Sequence, residues 1–150
     1  MNNLLIKEIY ENDIENLRKI RNNCRKFMTR NKKYINKKQQ LNWFQSINKN
    51  EMMPYLICQQ INEVSHQAVG YAIIRFEDNR GLLSGGVINK YRGLGVGRFI
   101  FSELIKICER KNIIPALEVL KTNTRAINLY KSLGFVIINE NYDIYYMEKK

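Results

Sequence analysis

The segment NKYRGLGVGRFI (Asn89–Ile100) places glycines at 93, 95 and 97 and then turns apolar at helical spacing. Glycines this close together let a backbone approach something closely. LLSGGVI (82–88), just before them, is strand-like, and Val96, Phe99, Ile100, Leu104, Ile107 and Cys108, just after, share one face of a helix. A strand, a glycine loop and a helix in that order aim several backbone N–H groups and a positive helix end at one point, which makes an anion site. Two known phosphate loops fit poorly, although Glu118 falls about where the ribose-binding acid of the first would stand. The dinucleotide fingerprint needs a third glycine where Arg98 stands, and it needs parallel βαβ units. The Walker loop ends in Gly-Lys-Ser/Thr, which GVGRFI lacks. A plain glycine-rich turn is the other reading of the loop.

Upstream of the loop, PYLICQQI (54–61) and AVGYAIIRF (68–76) alternate as strands, with turns at NEVSH and EDNRG. With LLSGGVI they predict a three-stranded antiparallel meander. NLLIKEI (3–9) predicts a further strand. NDIENLRKIRNNCRKFM (12–28) predicts an amphipathic helix facing inward through Ile14, Leu17, Ile20, Cys24, Phe27 and Met28. NKKQQLNWFQSIN (36–48) predicts a second, with Leu41, Phe44 and Ile47 inward. Downstream, IIPALEV (113–119) is a strand, NTRAINLYKSLG (123–134) a helix closed by Gly134, and FVIINE (135–140) and DIYYMEK (143–149) are strands. Without repeat or linker, residues 1–150 are expected to form one α/β (α+β) domain.

The net charge is +11, and from Asn16 to Asn50 there is no acidic residue but eleven lysines and arginines. Such a block attracts anions or is merely solvated. Cys24, Cys58 and Cys108 are odd in number and far apart, and no signal sequence is apparent, so reduced thiols in a cytoplasmic protein are expected. One histidine, His66, and no CxxC pair make a metal site improbable. No apolar run is long enough to span a membrane.

Two segments together resemble the acetyl-CoA-dependent GNAT N-acetyltransferases. Arg92, Gly95 and Gly97 match that family's pyrophosphate loop, Arg/Gln-x-x-Gly-x-Gly/Ala, behind the lead-in VINKYRG. ALEVLKTNTRAINLYKSLGF matches its second signature through Glu118, Val119, Asn123, Ala126, Tyr130, Gly134 and Phe135. The resemblance covers residues 82–136. It implies a mixed, mostly antiparallel seven-stranded sheet flanked by about four helices, with acetyl-CoA held by Val87, Ile88, Arg92, Gly93, Leu94, Gly95, Val96, Gly97, Arg98, Asn123 and Tyr130.

The implied chemistry is direct attack of an amine on a thioester. The amine must lose a proton, the oxyanion needs donors, and the leaving thiolate accepts a proton. The resemblance offers Glu118 as base and Tyr130 as acid, with the backbone near Val87 as the donor. LLSGGVI carries no carboxylate of its own, so a water relay to Glu118 or to a backbone carbonyl is a second route, and Glu118 as an ordinary paired strand residue a third. Asn123 is expected to bond the pantetheine arm or to cap a helix. IRNNCRKFM and QQLNWF are similar to the acceptor-side helices of members that acetylate nucleotide-linked amino sugars. With the basic stretch, this predicts a small anionic amine acceptor held by Arg21 or Arg25. The alternatives are acetylation of a protein N-terminus or lysine, a non-catalytic acetyl-CoA sensor, and a basic nucleic-acid-binding module. No nucleic-acid motif accompanies the charge, so the last is disfavoured. A homodimer is compatible with the sequence.

Overall fold

The alternating segments assemble into one mixed sheet. Its strands are β1 (Leu4–Glu8), β2 (Met52–Gln60), β3 (His66–Glu77), β4 (Arg80–Val87), β5 (Ile114–Leu120), β6 (Phe135–Glu140) and β7 (Ile144–Lys149), in the order β1-β2-β3-β4-β5-β7-β6. The helices are α1 (Ile14–Cys24), α2 (Lys37–Ser46), α3 (Val96–Arg110) and α4 (Thr124–Ser132). This computed structural model describes residues 3–30 and 32–150; Met1 and Asn2, from the amino-terminal segment, and Asn31, from the acid-free stretch, lie outside the description. The meander is present as expected, with β2 beginning at Met52 and β4 at Arg80, each earlier than expected, and His66 begins β3 rather than sitting in a turn. No helix of the described residues is long and apolar enough to cross a membrane.

Two cores form because successive strand residues face opposite sides. Ile57, Val69, Ile74, Leu83, Leu117 and Met147 pack with Val96, Ile100, Leu104 and Cys108 of α3 and Tyr130 of α4. Leu56, Cys58, Tyr71 and Ile73 pack with Leu17, Ile20 and Cys24 of α1. All three cysteines are buried free thiols. Gly134 closes α4 with φ +97°, the left-handed cap its position suggested.

The front helices depart from their expected limits. α1 stops at Cys24 and gives way to a single 3-10 turn, Arg25–Phe27. Its last two asparagines are poor helix formers whose side chains bond elsewhere. Asn22 exchanges bonds with the Ile35 backbone at 2.8 and 2.9 Å, and Asn23 Oδ1 accepts from the Asn89 N–H at 2.9 Å. The chain therefore leaves the helix axis, and Phe27 becomes 40% exposed instead of joining the core. In α2 Phe44 packs on the α1 core as expected, joined by Trp43, while the fully buried position is Gln40 and Leu41 and Ile47 are half-buried. Asn36 and Gln39 form its capping box.

Glu148 of β7 is 6% exposed, ion-paired to Arg80 Nε and hydrogen-bonded by the Tyr146 hydroxyl at 2.8 Å. Arg80 holds its carboxyl below the usual glutamate range. A depressed folded pKa stabilises above the unfolded value, and that stabilisation is lost as the pH falls through the folded one. Glu148→Gln should therefore destabilise by about 1 kcal/mol at pH 7, Arg80 being partly solvated. Urea midpoints at pH 7 and pH 3 should show the deficit shrinking in acid.

Candidate active site

β4 and β5 are the parallel pair, and their pairing ends at Leu83 opposite Leu117. Past that point β5 continues to Leu120 against β7, while β4 continues to Val87 against β3. The two strands part, and a cavity of about 690 Å³ opens along the gap. Ile88 N–H donates to Val69 O at 3.0 Å, so the alternation of an antiparallel ladder turns the Val87 peptide groups toward the gap. Val87 O accepts from Arg92 Nε at 2.8 Å and from Cys24 Sγ at 3.4 Å. Gly85 and Gly86 permit close approach here. A Cβ on Gly85 would stand 3.1 Å from Ile100 of α3, and one on Gly86 would stand 2.8 Å from Cys24 Sγ of α1. Their bareness lets both helices press on the strand where it parts from β5.

The loop after β4 turns through the 3-10 residues Asn89–Tyr91 and enters α3 at Val96. Gly93 (φ +81°) and Gly95 (φ +87°) take left-handed conformations. A Cβ at Gly95 would meet nothing within 4 Å, so the loop presents bare backbone at the helix start. Val96 is buried in the core, Leu94 is 48% exposed and outside the cavity lining, and Ile88 packs against both cores. Arg98 lines the cavity and donates to Ser132 Oγ at 2.8 Å.

Arg92, expected beside a pyrophosphate, is turned back into the fold. Besides Val87 O it bonds Asn89 and Asn23, and its guanidinium lies 4.9 Å from the Phe27 ring centroid. It braces the loop against the end of α1. The cation lying over the loop is Arg125, whose Nη2 is 2.8 Å from where a Gly93 Cβ would be. The sequence reading passed over Arg125. Its signal was a positive charge in the first turn of α4, where the helix dipole disfavours it. Asn123 caps α4, accepting from Ala126 N–H at 3.2 Å, and its amide nitrogen remains for a ligand.

Tyr130 packs edge-on to Phe101 (4.8 Å between centroids) and to Phe135 (6.0 Å) and reaches the cavity from the α3–α4 side. Burial, and secondarily the neighbouring Tyr71, push its hydroxyl pKa up, so it stays protonated. Tyr71 is likewise pushed up to about 12 by burial, against the pull of Arg21.

On the α1–α2 side, Glu118 of β5 faces the cavity and is ion-paired through Oε1 to Arg30, at 2.8 Å from Nε and 2.7 Å from Nη2. Arg21 lies 5.8 Å from the ring centroids of both Trp43 and Tyr71. Its Nε is buried without a hydrogen-bond partner, and among the described residues it pairs with no carboxylate. Arg25 is not brought here; it sits over Tyr34 at 5.9 Å, outside the lining. Among the described residues the cavity is thus lined by six arginines (21, 30, 75, 92, 98, 125) and one carboxylate, Glu118. Arg30 and Arg75 had no signal in the sequence reading beyond the general excess of positive charge.

Known proteins share this fold. A stretch of 61 residues is 38% identical to an uncharacterized N-acetyltransferase of Dictyostelium discoideum, covering 40% of this chain and 26% of that protein, so the match spans about a quarter of its length. The ribosomal-protein-alanine N-acetyltransferase of Brucella melitensis superposes with a TM-score of 0.78 at 23% identity, over 97% of this chain and 98% of that one. The spermidine N-acetyltransferase of Vibrio cholerae in complex with CoA and spermine gives 0.81 at 16% identity, over 99% and 95%. Residues 14–135, which run from the start of α1 through the glycine loop to the first residue of β6, match the Acetyltransferase (GNAT) family, and the chain belongs to that family.

Proposed function

We propose that this protein transfers an acetyl group from acetyl-CoA to the primary amine of a small anionic acceptor, of which a nucleotide-linked amino sugar is one example. The loop fits the cofactor's pyrophosphate: two glycines with positive φ, bare backbone at Gly95 and the Arg125 guanidinium over Gly93. Backbone N–H groups of Gly93–Gly97 and the start of α3 would hold the phosphates, with Arg98 and Arg125 adding charge. Asn123 would bond the pantetheine arm. The thioester supplies an electrophilic acetyl carbonyl and a thiolate leaving group. The Val87 N–H would stabilise the carbonyl oxygen, a contribution of about 3 kcal/mol for one such donor. Glu118 would take the amine proton, directly or through water, and Tyr130, kept protonated by burial, would give one to the sulfur.

The observation that carries the acceptor class is the charge inside the cavity, where Arg21 has a buried and unpartnered Nε. Arg21 is half-buried, and a cation partly removed from water without a counterion is costly, so a carboxylate or phosphate on the acceptor would relieve that cost. The Vibrio relative holds spermine, a polycation. Here a polyamine would meet Arg21, Arg30 and Arg75 with one carboxylate to offset them. The test is thiol release from acetyl-CoA across anionic, neutral and cationic amines and peptide N-termini. The best acceptor should be anionic, and its kcat/KM should fall as salt rises, screening being strong beyond about 10 Å at 0.1 M. Arg21→Ala should raise its KM about tenfold or more, with little change for a neutral amine. A neutral or cationic best acceptor, indifferent to salt, would remove this reading.

A further inference from the structure

Glu118 is the cavity's one carboxylate among the described residues, and it is already engaged. Arg30, from the segment between α1 and α2, contacts its Oε1 through two nitrogens while remaining 52% exposed. This pair joins residues 88 positions apart across the cavity. Any amine that approaches Glu118 must share it with a resident guanidinium. A bare ammonium would meet a like charge there. An acceptor that brings its own anion beside the amine turns the same guanidinium into an attraction.

We infer that Arg30 is a specificity-determining residue that admits amines carrying an anionic group a few bonds away and discriminates against bare amines and polyamines. This rests on the amine-acceptor reading above and narrows it. A hydrogen bond places the amine about 3 Å from Glu118 and the anion about 3 Å from Arg30. Because the two side chains are themselves in contact, the acceptor's amine and anion stand close together. α-Amino acids and aminoalkyl phosphates have this form. Arg75, lining the same cavity without a carboxylate partner among the described residues, adds a second cation for the anion. Repulsion of the wrong ligand is as effective a source of selectivity as attraction of the right one.

The experiment is calorimetric binding of 2-aminoethyl phosphate and of ethanolamine to the CoA-loaded protein, wild type and Arg30→Ala. Removing Arg30 leaves Glu118, whose side chain is 23% exposed, without its ion-pair partner, and the melting temperature checks that the fold is kept. Wild type should bind the phosphate about tenfold or more tightly than the plain amine. Arg30→Ala should weaken the phosphate about tenfold and strengthen ethanolamine about two- to fivefold, the modest gain expected at an exposed ion pair. The gain for the plain amine is the decisive sign, because damage to the site would weaken both. Equal weakening of both probes, or no change in either, overturns the assignment. Thiol release is scored separately. If the binding pattern appears but no amine releases CoA, the selectivity stands and the transfer reading fails.

Discussion

Gly95→Val should abolish acetyl-CoA binding while leaving a folded protein. Two effects act at this residue, and they separate cleanly. Its φ of +87° costs a β-branched residue about 1–2 kcal/mol, so the melting temperature should drop by a few degrees. The Cβ itself would touch nothing in the protein within 4 Å, so the space it takes is space left for a ligand. A valine there would push the pyrophosphate away from the N–H groups at the start of α3. Losing two charge-assisted bonds, at about 1.5–3 kcal/mol each, weakens binding by about 10²–10⁴-fold. Gly95→Ala carries most of the backbone strain with less bulk and should fall between. Calorimetry with CoA, alongside thermal melts, checks both parts. Retained affinity in a folded valine variant would mean that the loop does not hold the cofactor.

That prediction draws on features visible in the sequence, because a glycine loop and the helix after it are local patterns. The buried face of α3 follows from the spacing of Val96, Ile100, Leu104 and Cys108, and the Gly134 cap from a glycine placed just past a helical run. The residues that furnish the cavity were harder to see for a physical reason. Arg30 meets Glu118, and Arg92 meets Asn23, through contacts that span much of the chain and depend on how α1 ends. Local periodicity carried α1 on to Met28, whereas two asparagine side chains bonded elsewhere ended it at Cys24 and turned Phe27, Met28 and Arg30 toward the gap. Gln40 shows the same limit. A polar residue became the most buried position of α2, which its hydropathy does not mark. Arg25 and Arg21 looked equivalent as basic residues one helical turn apart, yet only Arg21 lies against Tyr71 and the cavity.

Glu118→Gln should lower kcat/KM by about 10²–10³-fold at pH 7 and regain much of it as the pH rises. The substitution keeps the size of the side chain and an oxygen that still accepts a hydrogen bond from Arg30, but it removes the ability to take a proton. Acceptor placement and acetyl-CoA affinity should therefore change little, and the loss should appear chiefly in kcat. A positioned base is worth about 10²–10⁴-fold, and the lower part of that range suits a site where water can relay the proton. An amine with a pKa near 8 is only about one tenth unprotonated at pH 7, and an amine near 10 far less. In the variant, the unprotonated amine must come from solution, so the rate should climb about tenfold per pH unit until the acceptor's own pKa is reached. If Glu118 is the base, wild type should show a shallower rise, the proton being accepted within the site. Pairing with Arg30 gives a second control: Arg30→Ala leaves the carboxylate in place and should keep turnover of neutral amines, whereas Glu118→Gln should depress turnover of every amine. Full activity of Glu118→Gln at pH 7 would take this residue out of proton transfer and leave it as the partner that holds Arg30 across the cavity.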